Sequence, residues 1–523
     1  MSSLQILFVL RHSGYVRNFE TVVDQLAQRG HRVHLAFELP RESAELAEAL
    51  AARHSGVTWG RAPKRTDAWA SLTRDLRYGR DALRYRSALY RDAPKLTARG
   101  LRRAPATLRR LTTPTVMRRP RMLGALHRVL RRLDAAIPPD PGIEAFVEGQ
   151  SPDLLLVTPL VDGPSQEDFV RAARRRGVPS ALCVASWDNL TNKGLIKAPL
   201  EHVFVWNEPQ RREAIDLHGM SPDRVTATGA HSYDHWFAWR TSSNREAFCE
   251  QVGLPGDRPY VLYLCSSKFI APTEPGFVRR WLTELRAATG PLRDCGVLVR
   301  PHPASGGWWS EVDIDDLGPV AVWPPTGADP RGAAAKADYF DSMYHCAAAV
   351  GINTSAIVEL SIIGRPAFTI LDPEFADTQQ GTIHFAHLTS AGGGALTAAP
   401  DFAQHTAQLA AAVAGAKDLG RRREDFLREF IRPNGLERPA APRMVEAFER
   451  LAAETPLALP ARDRVDALLR FVMQPLVTRA RTRPKPRKAA KRRPMRHRLR
   501  RTHAAKLVRC QHKRLREFAR QGS

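Results

Sequence analysis

Short apolar runs separated by amphipathic stretches recur in two blocks of the chain. In the first block the runs are Gln5–Leu10, Arg32–Phe37, Asp153–Thr158, Pro179–Val184, His202–Trp206 and Arg224–Thr228. In the second they are Tyr260–Leu264, Gly296–Arg300, Pro319–Trp323, Ala347–Ile352 and Ala367–Leu371. Continuous short apolar runs of this kind predict strands covered on both faces. Between them, Asn18–Arg29 places Phe19, Val22, Val23 and Leu26 at helical spacing and ends at Gly30, a natural C-cap. Further helices are expected at Gln166–Arg176, up to about His218, at Gly276–Ala288 and at Ala356–Ile363, where Gly364 and Pro366 forbid continuation. Strand and helix alternating through short loops imply a parallel sheet in each block. The expected architecture is α/β: two doubly wound, Rossmann-like domains facing each other across a cleft. We place them at residues 1–236 and 258–433, with a helix in 434–460 packing back on the first domain.

The stretch from Tyr339 to Leu371 carries the most chemistry. Asn353, Thr354 and Ser355 directly follow a predicted strand and open a predicted helix. Such a helix start presents unpaired N–H groups and a positive dipole end, which suits a phosphate. Glu359 lies about one turn further on, where a carboxylate can accept hydrogen bonds from a ribose. The same hydroxyl residues equally suit a cap that serves stability alone.

Loops at the C-terminal edge of a parallel sheet line the ligand cleft in open α/β folds. Three such loops hold candidates. The first, RHSGYVR, holds His12; a solvent-exposed loop histidine is the alternative. The second, SWDNLTNKGLIKAP, holds Trp187, Asp188 and Asn189, where Asp188 is either a proton acceptor or a turn residue bonded to its own backbone. The third, TGAHSYD, holds His231. No GxGxxG is present, so the dinucleotide fingerprint is missing.

Charge changes the picture at two places. The net charge is +25. Residues 61–132 hold 21 Lys and Arg against a handful of acids, and residues 479–520 hold 19 against one. The remainder is mildly acidic, so basicity is confined to an insert (61–140) of expected helices and a tail (461–523). Both are candidates for an anionic membrane surface or a phosphate-bearing acceptor, with simple solvation of the insert's arginines as the alternative. Nucleic acid is disfavoured as a partner, because Phe518 is the only aromatic residue from Ala480 onward and base stacking needs several. The first half of the tail is expected to be disordered, with a short helix at 504–520.

No run approaches the ~18 apolar residues of a membrane span. The N-terminus has no basic region before its apolar run and reads as a strand, not a signal peptide. Six cysteines without a CxxC pair suggest free thiols in a reducing compartment. The expected location is cytoplasmic, peripheral at the inner face of the membrane. The Asp313–Asp316 run looks like a DxD metal motif but reads as a surface loop, and no metal cofactor is expected.

Taken in order, TGAHSYD with Thr228, Gly229 and Asp234, then RPHP from Arg300 to Pro303, then GINTSAIVELSIIGRP resemble the GT-B glycosyltransferase superfamily. The sequence looks most like CDP-glycerol glycerophosphotransferase-like enzymes of surface polymers, and more distantly like UDP-N-acetylglucosamine 2-epimerases. The resemblance spans roughly residues 4–40 and 150–450, leaving out the insert and tail. It implies a nucleotide-sugar or CDP-alditol donor held by the second domain and a glycan or lipid-linked acceptor. Ser266, Ser267 and Lys268 correspond to a phosphate-contacting loop. Arg300 and His302 lie near the diphosphate, Thr354 and Ser355 open the phosphate-facing helix, and Glu359 is the ribose acid. The teichoic-acid-type enzymes have a WHGT-like motif with a catalytic histidine where this chain has Trp187, Asp188 and Asn189. A nucleotide-sugar donor with Asp188 as base is therefore preferred, Trp187 and Asn189 are placed on the acceptor side, and His12 and His231 are held in reserve as the base. An epimerase or hydrolase of nucleotide sugars, or a non-catalytic basic binding protein, are the other readings.

Overall fold

In this computed structural model, residues 3–39, 44–113, 119–159, 165–303, 306–314, 316–325, 327, 330, 332–415, 420–454, 456 and 464–482 are described. The expected tail helix and most of the basic tail lie outside them. Residues 1–473 form one compact unit and 474–523 a second.

The first sheet has seven parallel strands: β1 (Gln5–Leu10), β2 (Arg32–Phe37), β3 (Val57–Arg61), β4 (Leu154–Thr158), β5 (Ser180–Cys183), β6 (His202–Val205) and β7 (Val225–Ala227). Their order is β3-β2-β1-β4-β5-β6-β7. The second sheet is formed by β8 (Tyr260–Leu264), β9 (Gly296–Arg300), β10 (Val320–Val322), β11 (Ala348–Val350), β12 (Ala367–Ile370) and β13 (Leu396–Ala399), in the order β10-β9-β8-β11-β12-β13. Both orders reverse direction beside the first strand of the sheet, at β1/β4 and at β8/β11. A cleft opens at such a switch point, outside the C-terminal strand ends. Two doubly wound, Rossmann-like parallel-sheet domains are the α/β architecture expected from the sequence. β3 and β13 extend the sheets beyond the strands that the apolar runs predicted.

The strands are buried on both faces because helices cover them. Ile6, Phe8 and Leu10 pack with Val22, Val23 and Leu26 of the Glu20–Gln28 helix, while Leu7 and Val9 point to the other layer with Leu155 and Phe169. Met444, Val445, Phe448 and Leu451 of the Ala440–Ala452 helix join the first of these layers. The chain thus returns to the layer that covers the first sheet. Its N-terminus is held by Asp234, whose carboxylate accepts from the backbone N–H groups of Ala440 and Ala441 at 2.9 and 2.7 Å.

The insert is helical, as predicted, but it is not an appendage. Helices at Ala70–Arg84, Pro94–Arg103, Ala106–Leu111 and Pro120–Ala136 build their own small core around Leu83, Leu108 and Leu123. Arg77, Arg80 and Arg84 are buried, which corrects the expectation of solvated or ligand-facing arginines at these positions. Arg77 donates to Asp134 (3.1 Å) and in bidentate fashion to Asp168 (3.1 and 2.8 Å), and it pairs with Glu167 at 2.9 Å. All three carboxylates are fully buried.

No described helix is long and apolar enough to cross a membrane. The five described cysteines are all buried and unpaired. In the DxD-like run, Asp316 is exposed and bound to Arg279 at 2.7 Å, and Asp315 lies outside the described residues.

Candidate functional site

The second-domain wall forms where β8 and β11 end side by side. Asn353, just past β11, donates its backbone N–H to Ser266 Oγ at 3.3 Å and its side-chain amide to the Thr378 carbonyl at 2.6 Å. These bonds fix the start of the Ala356–Ile363 helix against the exit loop of β8. Thr354 Oγ1 accepts weakly from Ala356 N (3.4 Å). Ser355 has helical φ/ψ and makes no side-chain capping bond, contrary to the simple cap reading, and it is exposed at the helix start. The helix closes at Gly364, whose φ of +89° is the left-handed cap that glycine permits.

The β8 exit loop splits its three candidates. Ser266 is buried, and its N–H is shared between both oxygens of Glu274 at 2.9 Å. Burial pushes the Glu274 carboxyl up to about 8. Ser267 is half-buried and its carbonyl accepts from Ile270 and Ala271. Lys268 is exposed, with its ammonium 4.1 Å from the Trp308 ring centre.

Arg300 ends β9. It donates to Asp338 Oδ2 at 2.7 Å and lies over the Tyr339 ring at 5.0 Å, while its Nη1 is buried without a hydrogen-bond partner among the described residues. His302 is half-buried beyond it. Tyr339 Oη donates to Glu359 Oε2 at 2.5 Å. Burial pushes the Glu359 carboxyl up to about 7, against the Tyr339 hydrogen bond and the charge of Arg17, which hold it down. Arg300, Tyr339 and Glu359 therefore form one connected row, on which the charge of Arg17 from the β1 exit loop acts.

On the first domain, Asp188 sits just before a one-turn helix, Asn189–Asn192, and bonds no backbone N–H as a cap. Its carboxylate takes the side-chain amides of Asn189 (3.2 Å) and Asn192 (3.1 Å). Burial raises its pKa, but the charges of Lys193 and His384 and bonds from Ser186 and Asn192 outweigh that and hold it below the ordinary range. Trp187 is buried and meets the His384 ring edge to face at 4.9 Å. Asn189 accepts from Ala185 N at 3.2 Å, pinning the loop. His12 is half-buried with its ring 4.8 Å from Tyr15. His231 is fully buried and stacked on Phe19 at 4.7 Å; burial pushes it down to about 3, so it is a neutral core imidazole.

The structure thus gathers Arg300, Ser355 and Glu359 on one wall and Asp188 on the other, with Tyr233 feeling the charges of Glu359, Arg17 and Asp188. His231 points into the core, and Ser266 serves the loop junction.

No family model matches the chain, and no curated protein matches it. Solved structures do resemble it in fold. A putative UDP-N-acetylglucosamine 2-epimerase from Listeria monocytogenes is 11% identical, with 88% of this chain and 100% of that chain covered and a TM-score of 0.48. The calicheamicin glycosyltransferase CalG4 is 14% identical, with 87% and 100% covered and a TM-score of 0.43. WaaG, a glycosyltransferase involved in lipopolysaccharide biosynthesis, is 10% identical, with 85% and 99% covered and a TM-score of 0.45.

Several residues of this site escaped the sequence reading. His384 and His387 open a short helix of the second domain and reach across to the first. His384 Nδ1 lies 3.3 Å from Thr191 Oγ1, and His387 shares a 2.5 Å hydrogen bond with Glu213. The insert also braces the Asp188 loop: buried Arg84 donates to the carbonyls of Leu190 (2.5 Å), Lys193 (3.1 Å) and Gly194 (2.9 Å), and Arg99 donates to the Asn192 carbonyl. Only the density of arginines in the insert hinted at this.

Proposed function

We propose that this protein transfers a sugar, or an alditol phosphate, from a nucleotide-activated donor to a hydroxyl of a surface-glycan or lipid-linked acceptor. The observation that carries this reading is the connected row Arg300–Tyr339–Glu359, with Ser355 one turn before Glu359 at the exposed helix start. An exposed hydroxyl at a helix start and a guanidinium with a buried donor unused among the described residues suit a diphosphate whose charge grows as it departs. Glu359 suits a ribose diol, and Asp188 on the opposite wall suits the acceptor proton. The donor nucleotide is the substrate, and no metal cofactor is invoked.

Calorimetry with UDP, CDP and GDP tests the donor site. Ser355→Ala and Glu359→Ala are each expected to weaken the best nucleotide by roughly 1–3 kcal/mol while the protein stays folded. Unchanged affinity would remove this row from the site.

The pH dependence gives a sharper check. Glu359 titrates near 7, so it is mostly protonated at pH 6 and mostly ionised at pH 8. A carboxylate accepts from both hydroxyls of a diol, so nucleotide affinity should rise over that interval, by up to about tenfold for one pKa unit of differential interaction. Glu359→Gln should flatten the profile. A wild-type profile already flat from pH 6 to 8 would take Glu359 out of the contact.

A second reading, a nucleotide-sugar epimerase, draws on the two imidazole–carboxyl pairs at the cleft, His387 with Glu213 and His384 beside Asp188. Epimerisation at a carbon next to an activating group exchanges a ring proton with solvent. Deuterium incorporated into the donor without any acceptor would select it over transfer.

A further inference from the structure

The Arg464–Thr482 helix begins with a stripe of apolar side chains that stands exposed among the described residues. Phe471 is 78% exposed, Leu468 and Val472 are 61% and Val465 is 45%. Positions 465, 468, 471 and 472 share one helix face. The adjoining face is spoken for: Met473 and Leu469 pack with Leu76, Leu133, Ala136 and Ile137 of the insert, and Asp466 binds Arg132 at 2.7 Å. The stripe is therefore held in place by that face and presented outward.

Its surroundings are cationic. On the adjoining Pro120–Ala136 helix, exposed Val129 stands one turn before Arg132, and exposed Arg121, Arg128 and Arg131 flank it. Beyond residue 482 the chain continues for 41 residues with 17 Lys and Arg against one Glu. An apolar stripe edged with cations and followed by a polybasic segment matches the requirements of an anionic lipid surface. The apolar side chains enter the headgroup boundary while the cations meet the phosphates. A second copy of the chain fits less well, because a symmetric contact through this stripe would bring the same arginines toward each other.

We infer that the Val465–Val472 stripe, with the arginines of the insert beside it, is a membrane-docking face that lays this protein on an anionic bilayer. The hydrophobic stripe is a binding element in its own right, distinct from electrostatic attraction by the tail. The inference stands apart from the reaction proposed above.

The test uses the full chain and sedimentation with vesicles of phosphatidylcholine, alone or mixed with phosphatidylglycerol. The wild type should sediment with the mixed vesicles and lose part of that binding as salt is raised. Leu468→Ser/Phe471→Ser should lower the partition coefficient by roughly tenfold or more with the circular dichroism spectrum unchanged, since both side chains are exposed in the folded state. Wild-type binding by the double variant would overturn the inference, as would binding that salt abolishes completely in both proteins. A wild type that is dimeric in sedimentation velocity and does not bind vesicles, beside a monomeric double variant, would also overturn it and assign the stripe to self-association.

Discussion

Asp188→Asn is expected to lower turnover by about 10²–10⁴ while leaving nucleotide affinity nearly unchanged. The factor is the usual cost of removing a general base. The affinity expectation follows from position: the donor row Arg300, Ser355 and Glu359 is on the second domain, and Asp188 is on the first. The substitution keeps the shape of the side chain. It disturbs the two amide contacts from Asn189 and Asn192 and the bond from Ser186, all local to the loop, so the fold should survive. Because Lys193 and His384 help to hold Asp188 below the ordinary carboxylate range, it is ionised throughout the physiological range. Turnover at saturating donor should then show no titration of this group between pH 6 and 8. Initial rates with the best donor from a nucleotide-sugar panel provide the measurement. If Asp188→Asn turns over normally and His12→Ala does not, the base is His12 in the β1 exit loop. His231→Ala should affect stability and not turnover, since its ring is buried against Phe19.

The largest stability effect is expected at Arg77. Replacing it with Met leaves Asp134, Glu167 and Asp168 buried with part of their compensation gone. Breaking a buried ion pair from one side costs about 3–5 kcal/mol. Arg65 still reaches Asp168 at 2.8 Å, and Arg80 and Arg171 still reach Asp134, which keeps the expectation inside that range and not beyond it. Arg428→Met supplies the contrast. Its pair with Glu424 is exposed on both sides, and such a pair is worth at most ~0.5 kcal/mol. Urea unfolding of the two variants should separate them by midpoint with similar slopes. Equal, small shifts would mean that the buried cluster contributes nothing beyond its burial. The insert also carries Arg84, which holds the Asp188 loop through three carbonyls, so loss of the insert's core should reduce turnover along with stability.

Much of the fold was legible because its signals are local. Tyr260–Leu264 and Gly296–Arg300 were read to the residue as strands, and Ala356–Ile363 as a helix closed by Gly364. An apolar run or a glycine stop reports on neighbours a few residues away, so it can be read without the rest of the chain. β3 failed that reading because it is an edge strand whose middle residues are exposed, leaving no apolar run to see. β13, LTAA, was too short and too weakly apolar.

The site divides in the same way. The sequence alone determined that a hydroxyl-rich helix start follows a buried strand, that Glu359 lies one turn into it, and that Asp188 follows a first-domain strand. It also located the two basic segments. Only the tertiary structure decided what those groups meet. The His384 ring stands against Trp187 and within hydrogen-bonding distance of Thr191, 193 residues earlier in the chain. Arg77 finds Asp168 across 91 residues, which turns a basic insert from a presumed surface into a buried ionic core. His231, a loop histidine by sequence, became a core residue when Phe19 stacked on it. Periodicity and capping act between residues a turn apart, whereas a charge or an imidazole takes its role from whichever segment the folded chain brings opposite it. That partner is set by the order of the strands in the two sheets, and no local pattern encodes it.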